Sequence, residues 1–164
     1  TGRQKITLTI RISICCCVME SSSTRTAHPI KGYRMARKRY FTGSRCEERG
    51  GYARGVRDSN LVFMSGCVGF DYEQDTIAGD IVEQTHQTFR NINRGLEELA
   101  PNFKDVVLIL IYIADRAFYE QTVDIIGEYW RDLRPVNTFI VVKLVDPRMK
   151  IEIEVTTRDG GGAG

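Results

Sequence analysis

Hydrophobic positions along this chain repeat with two different periods, and the changes of period mark the elements. From 80 to 99 the residues Ile81, Thr85, Phe89, Ile92, Leu96 and Leu99 recur at spacings of three and four, the signature of one apolar stripe on a helix. Asp80 stands at its N-cap, Glu83 three positions later suits a capping box, and Pro101 follows where the helix must stop. A second helix is predicted from about Ala117 to Leu133, with Phe118, Thr122, Ile126 and Tyr129 as its stripe and Pro135 barring extension. Between the two, Val106 to Ile111 is apolar without interruption, so a strand over 105–114 needs cover on both faces. The period changes to two at Lys150-Ile151-Glu152-Ile153-Glu154-Val155, which predicts a strand over 149–157 with acids on one face and branched apolar residues on the other. A strand over 138–145 precedes it, joined through Asp146-Pro147-Arg148.

The first half reads as strands and turns. Residues 37–42 form a short strand and Gly50-Gly51 a turn; strands over 52–57 and 61–67 make a hairpin through Arg57-Asp58-Ser59-Asn60. Residues 71–80 form a polar loop. The resulting order, strand-strand-strand-helix-strand-helix-strand-strand, is that of an α+β domain with two helices on one face of a mixed sheet. The opposite face has no layer of its own, and a sheet face left apolar points to an oligomer.

Charge and composition narrow the picture. The chain has 164 residues, enough for one domain with a substantial core. Residues 1–34 hold six Lys/Arg and one acid, leaving 17 basic and 20 acidic groups for the remainder, a net of −3. That balance argues against nucleic acid as a partner. Residues 1–34 read as a leader outside the domain, expected to be disordered. The domain is expected to begin at Met35-Ala36-Arg37-Lys38-Arg39, and the glycine-rich tail 159–164 to be flexible. Five cysteines in no zinc or CxxC spacing fit a reducing, cytoplasmic setting. Two histidines exclude a His-rich metal site, and no metal is expected. No apolar run is long enough to predict a transmembrane helix, so no membrane partner is expected.

Several segments, in this order and spacing, resemble the RidA/YjgF family, the reactive intermediate deaminases. They are Gly51-Tyr52-Ala53-Arg54-Gly55-Val56, Asn60-Leu61-Val62-Phe63-Met64-Ser65-Gly66, Asp80 to Asn93, Asp105-Val106-Val107, Arg134-Pro135-Val136-Asn137-Thr138 and Ile151-Glu152-Ile153-Glu154. The resemblance covers residues 35–158. It implies a chorismate-mutase-like α+β fold and a homotrimer whose sheets form a central barrel. It also implies small-molecule sites in the clefts between subunits, where water attacks an enamine or imine without a cofactor. Deaminating members carry an arginine two residues after the proline, which grips the substrate carboxylate as a bidentate pair. This chain has Asn137 there, so it resembles a divergent branch, and deamination of 2-imino acids is expected to be weak or absent. Arg54 and Arg134 are the cations that would replace the missing one.

By the same resemblance Glu152 orients the attacking water or serves as acid and base, and Tyr52 donates to a carbonyl oxygen or imine nitrogen. Ser65, Gly66, Cys67, Asn137 and Arg134 are the substrate-binding candidates. Alternation alone gives a plainer reading of Glu152, as part of a solvated acidic face with Lys150 and Glu154. Tyr52 reads equally as a half-buried aromatic, Ser65 and Gly66 as a strand end that needs small residues, and Cys67 as inert packing. Asn137 is a strand-start residue on the same footing, and His86 a helix-edge residue. Two classes of function follow: an enamine, imine or related carbonyl-type hydrolase, and a binding protein that keeps the cleft without the chemistry. Some family members are described as ribonucleases or translation inhibitors, but the acidic core lacks the basic, aromatic-interleaved stripe that RNA binding calls for.

Overall fold

The computed structural model describes residues 37–99 and 106–158. In chain order its elements are β1 (Lys38–Tyr40), α1 (Arg45–Gly50), β2 (Gly55–Asp58), β3 (Leu61–Val68), β4 (Phe70–Asp71), β5 (Thr76–Ile77), α2 (Ile81–Leu99), β6 (Val106–Ile113), a 3-10 turn (Arg116–Phe118), α3 (Tyr119–Trp130), β7 (Val136–Val141) and β8 (Ile151–Arg158). The leader, the start at Met35, Pro101, Asp105 and the tail 159–164 lie outside the described residues.

Six strands make one mixed sheet in the order β1-β2-β3-β8-β6-β7, and β4 and β5 form a separate small hairpin. Every pairing in the large sheet is antiparallel except β6 with β7. The strict alternation of β8 decides what each face carries. Ile151, Ile153 and Val155 are buried with Ile109, Ile111 and Ile113 beneath the helices. The expected stripe of α2 is buried in full, and the Asp80 carboxylate accepts a hydrogen bond from the Glu83 amide at 3.0 Å, as an N-cap should.

The opposite face is partly apolar. The registers align Phe63, Thr156, Leu108 and Val136 in one row across β3, β8, β6 and β7. Phe63 is 47% and Val136 68% exposed. No element among the described residues covers this row.

Some boundaries differ from the pattern reading. Gly50-Gly51 closes a short helix rather than a turn between strands, and Gly51 takes the left-handed conformation at its C-cap. The stripe of α3 ends on Trp130 rather than Tyr129. Trp130, four residues after Ile126, fills the core position, and Tyr129 stacks on Phe89 from the helix edge with ring centroids 3.7 Å apart. α3 stops at Trp130 because the Leu133 and Arg134 amides both bond back to its carbonyl, with Arg134 at φ 45° turning the chain into Pro135.

Candidate active site

The site begins with an irregularity in β3. The register with β8 slips between Met64 and Cys67, so Met64 faces Val155 while Cys67 faces Ile153. At the slip Gly66 lies flat against the Glu152 side chain. A Cβ added there would stand 1.7 Å from Glu152 Oε1, so the close approach requires glycine. Glu152 is therefore not part of a solvated face: it is only 4% exposed. Among the described residues no hydrogen-bond donor or cation reaches its carboxyl. Burial, with the neighbouring Glu154 adding to it and Arg54 opposing, pushes its pKa up to about 7. Glu154, by contrast, accepts a hydrogen bond from the Tyr112 hydroxyl at 2.9 Å.

A buried ion pair forms the back wall. Ser44 caps α1 by accepting from the Glu47 amide, and this places the Glu47 side chain inward, 4% exposed. Its carboxylate accepts from the Thr42 amide at 2.9 Å, the Thr42 hydroxyl at 2.7 Å, the Gly43 amide at 3.2 Å and Arg54 Nε at 3.0 Å. The Arg54 guanidinium also donates to the Gly66 carbonyl at 2.6 Å and to the Tyr52 hydroxyl at 3.2 Å. It stands 5.4 Å from the centre of the Tyr52 ring and 5.9 Å from that of Tyr72. Burial alone would loosen the Arg54 proton, but the facing groups and the Glu47 bond outweigh it and raise its pKa. The same burial pushes the Tyr72 hydroxyl up to about 12.

These groups open into a cleft of roughly 600 Å³ between α1, the end of β3, the β4-β5 hairpin and the loop before β8. At the mouth Arg148 pairs with Asp146 at 2.7 Å, and this hydrogen bond holds the Asp146 carboxyl below its usual range. The two rims are tied by one side chain. Gln84 of α2 is fully buried; it donates to the Ala78 carbonyl at 2.6 Å and the Arg148 carbonyl at 2.8 Å, and accepts from the Lys150 amide at 2.8 Å.

Of the residues expected at the site, Tyr52, Gly66 and Glu152 line this cleft. Ser65 is half-buried beside it; its amide donates to the Arg54 carbonyl. Cys67 is turned into the core at 1% exposure, and burial pushes its thiol up to about 12, which leaves it unreactive. Arg134 lies exposed in the turn after α3. Asn137 begins the edge strand β7 and is exposed. It pairs with Ile109, which pairs with Val155 on the helix-covered face, whereas Glu152 pairs with Tyr112 on the other. Within one chain Asn137 and Glu152 thus project from opposite faces. His86 sits at the helix edge, its Nδ1 3.2 Å from the Tyr129 hydroxyl. The pattern reading did not single out Glu47. Its local signal was Ser44-x-x-Glu47 ahead of Gly51, a capping-box spacing closed by a glycine. Among the described residues no three His, Cys, Asp or Glu side chains gather as a metal site, and no helix is long and apolar enough to cross a membrane.

Comparison with known proteins adds the context. The family model for endoribonuclease L-PSP matches residues 42–158. A RutC family protein of Pyrococcus horikoshii is 26% identical over 115 residues, 70% of this chain and 91% of that protein. The 3-aminoacrylate deaminase RutC of Acinetobacter baylyi is 30% identical over 103 residues, 62% of this chain and 82% of that protein. A crystal structure from Mycobacterium tuberculosis, described as a member of the YjgF family, superposes with a TM-score of 0.69 at 28% identity, covering 75% of this chain and 99% of its own.

Proposed function

The chain belongs to the endoribonuclease L-PSP family, which includes the RidA and YjgF proteins, and from that premise we propose that its cleft hydrolyses a small enamine, imine or related carbonyl-type metabolite. The observation that carries this reading is the Glu152 carboxyl, buried in the cleft wall, free of partners among the described residues, and held near pH 7 in its proton affinity. A group so tuned accepts and returns protons at neutral pH. In the proposed step a water loses a proton to Glu152 as its oxygen bonds to the C=N carbon. Glu152 hands that proton to the nitrogen, giving a neutral carbinolamine, and then carries the carbinolamine's hydroxyl proton to the same nitrogen. The C–N bond then breaks, ammonia leaves and a carbonyl remains, with one water consumed per ammonia. Tyr52, whose hydroxyl oxygen Arg54 holds, is the proposed donor to the reacting heteroatom. Gly66 shapes the wall through its backbone, with Ser65 beside it and Cys67 behind it in the core. No cofactor enters this scheme.

The proposal includes a homotrimer with the chorismate-mutase-like barrel arrangement. The row of exposed Phe63, half-buried Leu108 and exposed Val136 supports assembly through the open sheet face. In such an assembly Asn137 and Arg134 would reach a cleft only on a neighbouring copy. The test generates imines with a flavin amine oxidase and with an amino-acid oxidase, and follows their capture by semicarbazide with and without this protein. The expected result is hydrolysis of the amine-oxidase imine that competes with the trap and is reduced by about 10²- to 10⁴-fold in Glu152→Gln, with the 2-imino acid hydrolysed weakly or not at all. Equal rates in both proteins would overturn the assignment of Glu152.

A second reading, a metabolite-binding protein without the chemistry, is favoured by one observation. Asn137 is neutral, lies away from Glu152, and cannot reproduce a guanidinium fork. Capture of a carbonyl ligand without turnover of any imine would select it.

A further inference from the structure

Alternation along β3 and β4 carries one wall of the cleft outward from the Glu152 carboxyl. Gly66, Val68, Phe70 and Tyr72, each two residues from the next, all line the cleft. Between them Cys67 turns into the core and Gly69 lies against α2. The line starts at the carboxyl. Gly66 touches the Glu152 side chain, and Val68 is the register partner of Glu152 across β8. Beyond Val68 the wall is aromatic. The Phe70 and Tyr72 rings are half-buried, with centroids 5.3 Å apart and planes tilted by 53°. The Tyr72 ring leans back to within 5.9 Å of the Arg54 guanidinium carbon, so the aromatic surface borders the polar end of the site.

These rings stand on a hairpin that cannot hold itself. β4 and β5 have two residues each, too few for a stable ribbon in water. α2 holds it instead. The Asn91 side-chain amide donates to the Val68 carbonyl at 2.9 Å and to the Phe70 carbonyl at 2.8 Å, and accepts from Gln87 at 3.0 Å. The two carbonyls bracket Gly69, where an added Cβ would stand 2.5 Å from Gln84 Cα. Helix and hairpin root are therefore in direct contact. At the tip Arg94 pairs with Glu73. The Asp71 carboxylate accepts from the Glu73 and Gln74 amides at 2.9 and 3.1 Å and closes the turn after Tyr72. Two aromatic rings are thus fixed at the cleft wall instead of being drawn into the core, where they would bury more apolar surface.

We propose that Phe70 and Tyr72 form a subsite for the group carried on the C=N carbon, that this group is an aromatic ring or an apolar chain of similar size, and that Asn91 is the positioning residue that sets the subsite. The inference rests on the reading of the cleft as an imine hydrolase and names the substrate class for it: imines of arylalkylamines in preference to those of short alkylamines. A substituent on a carbon held at Glu152 runs along Val68 toward the two rings. A phenyl group gains their flat faces there, and a short alkyl chain gains little.

The test uses the full chain and a flavin amine oxidase that accepts both 2-phenylethylamine and propylamine, with hydrolysis of each imine measured against the semicarbazide trap. The wild type is expected to favour the phenyl imine by at least about tenfold in kcat/KM. Tyr72→Ala should bring that ratio to about twofold or less, and Tyr72→Phe should keep it. Asn91→Ala removes both donors from the hairpin root and should lower the ratio with Tyr72 still in place. Gln87→Ala, which removes only the bond that orients the Asn91 amide, should lower it by less and covers the case in which Asn91→Ala does not fold. A wild-type ratio near one would overturn the subsite. Equal loss of both imines in Tyr72→Ala would also overturn it, since the ring would then act only through Arg54. If neither imine is hydrolysed, the hydrolase reading falls, and the subsite is decided by an NMR titration of the Tyr72 ring protons with phenylacetamide against acetamide. Tighter binding of the phenyl compound would sustain it; no shift with either at millimolar concentration would show the rings covered and overturn it.

Discussion

Gly66→Ala is the sharpest perturbation available at this site, because its geometry fixes what must move. The added Cβ would stand 1.7 Å from Glu152 Oε1, 2.6 Å from Cδ and 2.9 Å from Cγ, and real Cβ atoms essentially never come nearer than 3.0 Å to another atom. The carboxyl must therefore retreat by at least the difference between 3.0 and 1.7 Å, which is 1.3 Å. The displaced atoms are the far end of a flexible side chain, so the fold should survive at a cost of about 1–3 kcal/mol. The Arg54 bond to the Gly66 carbonyl involves backbone and remains available. A shift of this size is enough to cost a proton-transfer group on the order of 10²-fold in rate. The carboxyl should also move toward water and lose part of the burial that raises its pKa to about 7. The assay is carbon-detected NMR of the Glu152 carboxyl across pH, with thermal unfolding as the control. The expected result is a titration midpoint near 7 in the wild type and one displaced toward the ordinary carboxylate range in the variant. A wild-type midpoint near 4.5, or an unchanged midpoint in a folded Gly66→Ala protein, would refute the reasoning.

Three further outcomes are expected. Between pH 4.5 and 7 folded Glu152 keeps a proton that the unfolded chain releases, so wild-type stability should fall as pH rises through that window and level off above it. The lost stability approaches about 3 kcal/mol; Glu152→Gln should be flat there and the more stable protein at pH 8, and parallel urea-unfolding profiles of the two would contradict this. Glu47→Gln leaves the Arg54 charge buried without its counter-ion, and should destabilise by about 3–5 kcal/mol in the same measurement; a loss under 1 kcal/mol would show that water reaches the pair. Phe63→Asp places a charge in the exposed apolar row and should reduce the particle mass in light scattering to that of one chain; an unchanged multimer would place the contact elsewhere.

Much of the fold was readable because burial imposes periods. α2 and β8 each have one buried face, and the stripe of Ile81 to Leu99 and the alternation of Ile151, Ile153 and Val155 follow from that directly. The boundaries of α3 and β7 were less legible. Whether Tyr129 or Trp130 enters the core depends on the space beside Phe89, a tertiary fact. α1 escaped because six residues are too few to show a period. The site was legible only in part. Alternation places Glu152 opposite Ile151 and Ile153, but not beneath Gly66, since its burial arises from the slip in the neighbouring strand. The Glu47–Arg54 pair joins a helix to the segment before β2, and no spacing rule spans such a contact.

The triple attachment of Gln84 bears on how a ligand would enter. Two segments that flank the cleft, the one leading from the β4-β5 hairpin into α2 and the loop before β8, hang on one buried amide. Neither segment can swing outward without breaking a buried hydrogen bond at its root and leaving a polar atom unsatisfied. On this side the aperture is accordingly set before any encounter. A ligand is then expected to arrive in a single diffusive step, with an observed rate that rises linearly with concentration, and to find little ordering entropy left to lose on this side.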